Sequence, residues 1–478
     1  MVPISRVRAR AHISTNALID PRVCRVCVAF VSRLCRPRAR AVGSTVWTDH
    51  LQDAVAAGRT SEDAVDRAWL RSYLPHFRAG RFDPVERVSW TSIGIDALNS
   101  TAHQAVAHEA ALQSLVLLKN EKETLPLKLG TKLAVLGPLG MTRSGLLSDY
   151  AGDQQCFTSD ALGPACIPTI AEALAEISPA TTSAARGVDV NSTNASAIPA
   201  ALVLARAADT VVLVLGIDKT IEHEGVDRTD TALPGLQSSF AQQVLALGKP
   251  TILILCNGGP LAIDELLVTA GGGGGMPPSA IIEAYNPSVY GPRAIAQSVY
   301  GRANRWGKLV QTMYPHDYIK KQPMTNYDMA KPPGRTYRYY KGSPLFAFGS
   351  GLSLTTFALA CSAKRGAHGA VWSTLTCTVR NTGTTRGGDE VLLVYHSAGD
   401  DVRAAAKHPV PLRSLVDFTR VSVAAGGEAS AHFNVSAASV MLVDEDGEKR
   451  LYKGKHRIVV SRTTGEGKGD DYTFAVDV

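Results

Sequence analysis

The sequence has almost no net charge outside its first 46 residues. The formal net charge of the 478 residues is +7, but residues 1–46 contain nine arginines against one acid, Asp20, so 9 − 1 = +8 for this segment. The remaining residues therefore sum to 7 − 8 = −1. Because nucleic-acid-binding proteins carry a basic patch or stripe, this distribution argues against a nucleic-acid partner.

The sequence also lacks signatures of membrane insertion, phosphate binding and metal binding. The best apolar run in the first 46 residues, 26–31, is shorter than the core of a secretory signal and far too short to cross a membrane. The glycines at 137–140 and 258–260 form neither G-x-G-x-x-G nor G-K-S/T, so we expect tight strand-to-helix turns there. Cys24 and Cys27 have C-x-x-C spacing, but no predicted strand precedes them and no second pair follows, which indicates chance.

The most informative stretch is residues 211–237. The continuous apolar run at 211–215 predicts a strand buried on both faces of a parallel sheet, and the spacing after residue 235 predicts a helix. Between them lies a charged loop, and a carboxylate beyond the carboxyl end of such a strand is a candidate general acid or base. From these residues alone, a solvated acidic loop is the alternative. The loop contains Glu222, His223, Glu224, Asp227 and Arg228.

The region around this stretch, residues 101–330, alternates predicted strands and helices. We expect a helix at 101–120 whose end is the apolar run 115–118. Buried strands are predicted at 132–136, 210–215, 251–255 and 280–284, and helices at 170–177, 198–208 and 238–247. This alternation predicts an α/β fold, a doubly wound α/β sandwich with a mainly parallel sheet and helices on both faces.

Different patterns occur on either side of this region. Residues 47–100 begin with predicted helices at 51–58 and 62–80, which end before Pro84. Residues 331–356 are a Pro/Gly/aromatic linker for which we predict no regular structure. In residues 357–478, period-two stretches at 374–379, 391–395, 429–435 and 456–460 predict an antiparallel β-sandwich. The glycine run at 271–275 is predicted to be a surface insertion.

Several blocks of the sequence occur in a distinctive order. They are HEAALQSLVLLKNEKETLPL (108–127), AVLGPLG (134–140), YAGDQQC (150–156), IEHEGVDRTDTALPGLQ (221–237), CNGGPLAID (256–264), RANRWGKL (302–309), PPGRTYRYY (332–340) and LFAFGSGLSLTTF (345–357). Together they resemble glycoside hydrolase family 3, in its β-xylosidase and α-arabinofuranosidase branch. NTGTTRGGDEVLLVYHS (381–397) resembles the fibronectin type III-like domain that closes family 3 xylosidases.

The resemblance implies a retaining mechanism with two carboxyl groups. An aspartate attacks the anomeric carbon while a carboxylic acid protonates the leaving oxygen, and the same carboxylate then activates water. Glu222, the first Glu of I-E-x-E, holds the family's acid/base position, and Glu224 is the runner-up. We expect Asp227 and Arg228 to hold the loop by a charge pair. The implied substrates are xylo-oligosaccharides or arabinoxylan, and no metal or organic cofactor is implied.

The resemblance also bears on what precedes the α/β region. In the family, a run like TDHLQDAVAAGRTSEDAVDRA (48–68) ends a (β/α)8 barrel, whose other part carries the Asp nucleophile. Ser148-Asp149 and Ser159-Asp160 do not match the nucleophile motif. We therefore expect residues 47–100 to be a helical remnant of the barrel, residues 1–46 to replace the rest by truncation or a faulty gene model, and the chain as written to be inactive. A non-catalytic carbohydrate-binding or interaction protein is the alternative function.

Cysteines and glycosylation sequons bear on the compartment. Cys156 and Cys166 bracket a short loop and could pair, as the secreted branch of the family suggests, and Cys361 and Cys377 could pair across neighbouring strands. Cys256 ends a predicted buried strand and is interpreted as a free core thiol. With the family resemblance, these features predict an extracellular protein, although no convincing signal peptide is visible. The N-x-S/T sequons begin at Asn99, Asn191, Asn194 and Asn434.

Overall fold

The computed structural model describes residues 46–150, 159–160, 163–179, 182–268, 276–365, 371–462 and 471–478. The predictions for residues 1–45, for Cys156 and for the glycine run at 271–275 fall outside these residues. The chain divides into two compact units, residues 1–100 and 101–478. Within the described ranges, no helix is long and apolar enough to cross a membrane.

The described part of the first unit is helical. Helix α1 (Val46–Ala56) and helix α2 (Glu62–Arg78) overlap the helices predicted at 51–58 and 62–80. Ser61 is the N-cap residue of α2, and its hydroxyl accepts a hydrogen bond from Ala64 N at 3.2 Å. Three 3-10 turns follow at Val85–Arg87, Ser89–Ser92 and Ile95–Ala97. Helix α2 buries none of its residues. Across its described residues this unit exposes many large apolar side chains: Trp47, Leu70, Leu74, Phe77, Phe82, Val85, Trp90, Ile93, Ile95 and Leu98.

The second unit begins with a six-stranded sheet. Its spatial order is β1-β6-β5-β4-β2-β3, with β1 antiparallel to β6 and all other neighbours parallel. The strands are β1 (Val116–Asn120), β2 (Leu133–Leu136), β3 (Thr182–Ala185), β4 (Thr210–Gly216), β5 (Thr251–Cys256) and β6 (Ala280–Glu283). The helices are α3 (Thr101–Ser114), α4 (Ile170–Ile177), α5 (Ile198–Ala207), α6 (Gln237–Leu245), α7 (Asp264–Leu267) and α8 (Gly291–Val299).

The central strand β4 shows why helices cover both faces of this sheet. All seven of its residues are buried. Val212 and Val214 belong to the core that includes residues of α4 and α8, whereas Val211, Leu213 and Leu215 belong to the core that includes residues of α5 and α6. Alternate side chains point to opposite faces of a strand, so an uninterrupted apolar strand has to be covered on both sides. The fold class is therefore the predicted doubly wound α/β sandwich.

Two local predictions for this domain are wrong or incomplete. The helix predicted at 101–120 ends at Ser114, and Val116–Asn120 is instead the antiparallel edge strand β1. An apolar run without a clear period fits a strand as well as a helix, and pairing with β6 decides for the strand. Strand β3 was not predicted, because its sequence TSAA has no apolar run and its residues are only half buried.

The segment at 331–356 contains more structure than predicted. Helix α9 (Tyr318–Lys321) precedes it, and a single helical turn, α10 (Thr336–Tyr339), lies inside it. Tyr314 and Tyr318 stack with their ring centroids 3.8 Å apart, and Tyr340 contacts both edge-on. Aromatic packing of this kind stabilises a fold beyond the effect of the apolar area that it buries. Tyr340 therefore holds the linker to Tyr314 and Tyr318 of the α/β domain.

The carboxyl-terminal part is a β-sandwich of two antiparallel sheets, β11-β8-β7 and β10-β9-β12-β13. Its strands are β7 (Phe357–Arg365), β8 (Val371–Asn381), β9 (Gly388–Ala398), β10 (Ser414–Val423), β11 (Glu428–Ser436), β12 (Lys455–Ser461) and β13 (Tyr472–Asp477), with the short helices α11 (Asp400–Ala405) and α12 (Ala437–Val440). Strands β8, β9, β11 and β12 contain the predicted stretches. The three strands that were not predicted, β7, β10 and β13, all lie at sheet edges, where partial exposure weakens the alternation of apolar residues.

One predicted disulfide is present in the sandwich. Cys361 on β7 lies directly opposite Cys377 on β8, with their Cα atoms 4.1 Å apart, and the two form a disulfide. The Cys377 side chain is buried in the core between the two sheets. Cys256 is a free, buried thiol at the end of β5, as predicted.

Candidate acid/base site

The charged loop predicted to carry the acid/base leaves the sheet at the carboxyl end of β4. Strand β4 ends at Gly216, whose φ of +143° is accessible to glycine and strained for other residues. A Cβ atom on Gly216 would lie 1.8 Å from Cys256 O on β5. Gly216 is therefore required by the close approach of the two strands at the root of the loop. Gln237, at the start of α6, bonds to both Gly216 N and Gly216 O and closes the loop's base.

Glu222 is held by Arg228 across the loop. Arg228 Nε donates to Glu222 Oε2 at 2.5 Å, and both terminal nitrogens of Arg228 lie 3.3 Å from Pro260 O. The Arg228 side chain is 11% exposed and the Glu222 side chain 34% exposed. The predicted charge pair between Asp227 and Arg228 is therefore wrong, because the guanidinium turns inward to Glu222 and Pro260 and Asp227 stays exposed.

The turn after β5 forms the surface against which Glu222 and Arg228 rest. A Cβ atom on Gly258 would lie 3.3 Å from Glu222 Oε1, and one on Gly259 would lie 2.7 Å from Arg228 Nη2. The absence of side chains at these two glycines leaves room for the ion pair. The turn leads from β5 to α7, as predicted for this glycine pair, and not to a phosphate cradle.

Glu224 faces a different neighbour. His223 and Val226 bond to each other's backbone and make a tight turn, so Glu224 lies at its exposed tip. Its backbone N donates to Asp149 Oδ2 at 2.9 Å. A hydrogen bond with Glu224 also raises the pKa of the exposed Tyr150 phenol, with smaller contributions from desolvation and from the charges of Glu224 and Asp149. Asp149, which does not match the nucleophile motif, is thus an anchor for the loop's tip.

The second half of the loop is anchored by residues that sequence reasoning missed. His316 Nε2 lies 2.7 Å from Asp230 Oδ1, and the backbone N of His316 bonds to the Asp264 carboxylate. The pKa of Asp230 is lowered mainly by a hydrogen bond from Ala232 N and further by His316. These residues are 86 and 52 positions apart in the chain, and no local pattern connects them.

A second buried polar pair lies beneath the turn after β5. Glu283, the last residue of β6, is fully buried, and burial raises its pKa to about 8. Its Oε1 accepts hydrogen bonds from Asn257 Nδ2 at 2.7 Å and from Tyr285 N at 3.0 Å. Sequence reasoning missed this pair, although an acid at the end of the apolar run 280–284 was a visible signal. Among the described residues, no group of three or more His, Cys, Asp or Glu side chains could hold a metal ion.

Most of the chain is similar to known proteins. The sequence profile of the glycosyl hydrolase family 3 C-terminal domain matches residues 115–354, and that of a fibronectin type III-like domain matches residues 390–464. A probable exo-1,4-β-xylosidase of Aspergillus fumigatus is 34% identical over 457 residues, which cover 90% of this chain and 55% of the relative. An exo-1,4-β-xylosidase of Emericella nidulans is 33% identical over 428 residues, with 86% and 53% covered.

Solved structures show the same fold. A family 3 exo-β-xylosidase in complex with a xylobiose aziridine probe is similar with a TM-score of 0.75 at 27% identity, over 91% of this chain and 56% of that one. A β-glucosidase of Listeria innocua in complex with isofagomine has a TM-score of 0.70 at 22% identity, which supports the fold alone, over 91% and 58% of the two chains. The chain thus spans about half the length of the proteins it matches.

Proposed function

Because this chain belongs to glycosyl hydrolase family 3, we propose that it carries the acid/base half of a retaining glycosidase that removes terminal xylose or arabinose from xylo-oligosaccharides or arabinoxylan. The observation that carries the proposal is the loop after β4, where two glutamates and a half-buried arginine lie at the carboxyl edge of the sheet. The names of the relatives from Aspergillus fumigatus and Emericella nidulans support xyloside as the substrate class.

Glu222 is the residue that we propose for proton transfer. A general acid must carry a proton, and a protonated carboxyl group cannot form an ion pair with Arg228. We therefore expect the Glu222–Arg228 pair at the stage when the carboxylate activates water, and expect it to loosen when Glu222 holds the proton. In this reading, Arg228 fixes Oε2 and leaves Oε1 to exchange the proton, so the guanidinium orients the carboxyl group.

Glu224 is the second candidate for the same role. It is exposed, it has no arginine partner among the described residues, and its neighbours Asp149 and Tyr150 are an acid and a phenol. If Glu224 is the acid, Glu222 keeps the loop's shape through Arg228 and takes no part in proton transfer.

Substitution of each glutamate distinguishes the two assignments. The assay uses a chain joined to the barrel domain of a xylosidase relative, with Glu265→Gln, an exposed site on α7, as the control. We expect Glu222→Gln to slow natural xylo-oligosaccharides by about 10²–10⁴ and activated aryl glycosides much less in the glycosylation step. Azide, which needs no general base, should rescue turnover as a β-glycosyl azide. The same pattern in Glu224→Gln alone would move the role to Glu224.

The chain of 478 residues by itself is proposed to be a poor catalyst. A lone acid without its nucleophile cannot form the covalent glycosyl-enzyme, and no residue in this sequence matches the nucleophile motif. Purified protein should therefore hydrolyse nitrophenyl xyloside and nitrophenyl arabinofuranoside poorly or not at all. Turnover of about 1–100 per second, ordinary for an enzyme, would contradict this.

The missing nucleophile motif also favours a second candidate function, a non-catalytic carbohydrate-binding or interaction protein. Calorimetry with xylobiose and with arabinoxylan tests it on the chain as it stands. Saturable binding without turnover would support this candidate, and turnover would reject it.

We also propose an extracellular location. The Cys361–Cys377 disulfide supports it, because disulfides persist in oxidising compartments. Detection of the protein in culture medium, with the disulfide intact by mass spectrometry, is the expected result. Retention in the cell with reduced thiols would reject the assignment.

A further inference from the structure

Glu283 is a fully buried carboxyl group to which the proposed reaction gives no role. It is 0% exposed at the carboxyl end of β6, and β6 lies between the edge strand β1 and strand β5. A buried carboxyl group is costly unless it is hydrogen-bonded. Glu283 ends the strand next to β5, which Gly258 follows, and β5 in turn lies next to β4, which leads into the acid/base loop.

The bonds of Glu283 join two turns at the carboxyl edge of the sheet. Asn257 Nδ2 donates to Oε1 at 2.7 Å from the turn after β5, and Tyr285 N donates to the same oxygen at 3.0 Å from the turn after β6. Asn257 N in addition donates to Tyr285 O at 3.0 Å. One carboxyl oxygen and one backbone bond therefore hold the two turns together.

The next residue of the first turn, Gly258, lies beside both Glu222 and Asn286, the next residue of the second turn. A Cβ atom on Gly258 would lie 3.3 Å from Glu222 Oε1 and 3.4 Å from Asn286 Nδ2. Gly258 directly follows Asn257, and Asn286 directly follows Tyr285. The two residues that Glu283 holds therefore precede Gly258, which lies beside Glu222, and Asn286, which lies beside Gly258. A shift of either turn would move the surface on which Glu222 and Arg228 rest.

The second turn is also strained, which indicates that something holds it. Tyr285 and Ser288 have φ values of +51° and +58°, a region that costs non-glycine residues of order 1–3 kcal/mol. Such a conformation persists only when its surroundings hold it. The hydrogen bond from Tyr285 N to Glu283 and that from Ser288 N to Leu146 O act on both strained residues.

We propose that Glu283 is a positioning residue for the acid/base loop, tying the turns after β5 and β6 into one rigid support for Glu222. The proposal rests on the proposed function, in which Glu222 transfers the proton. The support that Glu283 gives to Glu222 and Arg228 can nevertheless be measured without catalysis. Glu283 acts through Asn257 and Tyr285 and does not touch substrate.

The neutral form of Glu283 fits this role. Glu283 Oε2 and Asn257 Oδ1 are buried and lack a hydrogen-bond partner among the described residues. A protonated Oε2 supplies a donor where an ionised carboxylate would bring only acceptors. The titratable groups that face Glu283 are the Cys256 thiol and the Tyr285 phenol, whose pKa values burial raises, so both are neutral near pH 7. Glutamine, which is neutral and keeps the accepting oxygen, should therefore replace Glu283 in this role.

Hydrogen exchange on the full chain tests the proposal with two variants and a control. Glu283→Gln should leave exchange unchanged at residues 221–228, 257–259 and 285–286. Glu283→Leu, similar in size but without an acceptor, should speed exchange there about tenfold, the effect of roughly one net hydrogen bond. The control is Thr251→Val, a buried substitution at the opposite end of β5 that also removes a hydrogen bond, from Thr251 Oγ1 to Lys249 O. It should leave these segments unchanged.

The nuclear magnetic resonance signal of Arg228 Nε–H is the second readout. It should stay protected from solvent in Glu283→Gln and lose protection in Glu283→Leu. If Glu283→Leu does not fold, Asn257→Ser, which shortens the donor on the other side, should loosen the same segments. Unchanged segments and an intact Arg228 signal in Glu283→Leu, or equal loosening across the whole sheet, would overturn the proposal. Loss of the acid/base role of Glu222 in kinetics would overturn the proposed function and leave this result standing.

Discussion

The stability of the protein should depend on pH through Glu283. The pKa of this carboxyl group is raised from 4.5 to about 8 because burial penalises its charged form. The folded protein therefore holds a proton that the unfolded chain has already released. The stability that this proton contributes is complete below pH 4.5, decreases as the pH rises, and is lost once the pH passes the folded pKa near 8.

The size of this effect follows from the shift. The rise of the Glu283 pKa from 4.5 to about 8 corresponds to roughly 5 kcal/mol in full and to roughly 3 kcal/mol at pH 7. Glu283→Gln cannot ionise and keeps the oxygen that accepts from Asn257 and Tyr285. We therefore expect the variant to gain stability over the wild type by about 1 kcal/mol at pH 5, about 3 at pH 7 and about 5 at pH 9.

Guanidinium denaturation of both chains at these three pH values measures the difference. Glu265→Gln, which changes the same chemistry at an exposed site, should show a flat difference near zero. A difference for Glu283→Gln that does not rise between pH 5 and pH 8 would refute the reasoning, because it would mean that Glu283 is ionised in the folded protein or hydrated in a way that removes the cost of its charge.

Three further results are expected. His396 Nε2 lies 2.9 Å from His456 Nδ1 in the sandwich, and burial lowers the pKa of His396 from 6.5 to about 4. The domain should lose roughly 3 kcal/mol of stability as the pH falls from 6.5 to 4, and His396→Gln should flatten that loss in acid denaturation, whereas equal loss in both chains would exclude His396 as its source. Gly216→Ala would place a methyl group 1.8 Å from Cys256 O and should prevent soluble expression or lower the melting temperature by more than 10 °C (a loss of several kcal/mol). The control Gly225→Ala, whose Cβ meets nothing within 4 Å at φ +82°, should cost only about 1 kcal/mol of stability. Similar melting temperatures for the two variants would contradict the close approach of Gly216 to Cys256. Finally, the exposed apolar side chains of the first unit, among them Trp47 at 72%, Ile95 at 84% and Leu98 at 71%, should drive association, and a clean monomer in sedimentation at about 10–50 μM would contradict it.

The sequence alone determined the elements whose signal is local. All seven residues of β4 are buried, and its short, valine-rich apolar run at 211–215 favours a strand covered on both faces. The same reasoning predicted the helix at 170–177, where Thr169 and Glu172 form a capping box, and the strands that hold the sandwich core. The loop with Glu222 and Glu224 was identified by its motif and by its place after a strand.

What the sequence could not supply were partners brought together from distant parts of the chain. Whether 116–120 is a helix end or a strand depended on β6, more than 150 residues away. The sequence predicted Asp227 as the partner of Arg228, and the fold pairs Arg228 with Glu222 instead, because the turn at 258–260 gives the guanidinium a half-buried acceptor in Pro260 O. Hydrophobic periodicity and secondary-structure propensity depend on a few neighbouring residues, so they can be read from the sequence. The ion pair at the site, the Glu283–Asn257 bond and the His316–Asp230 contact exist only because the parallel sheet places the ends of separate strands side by side, and that arrangement is set by the packing of the whole domain.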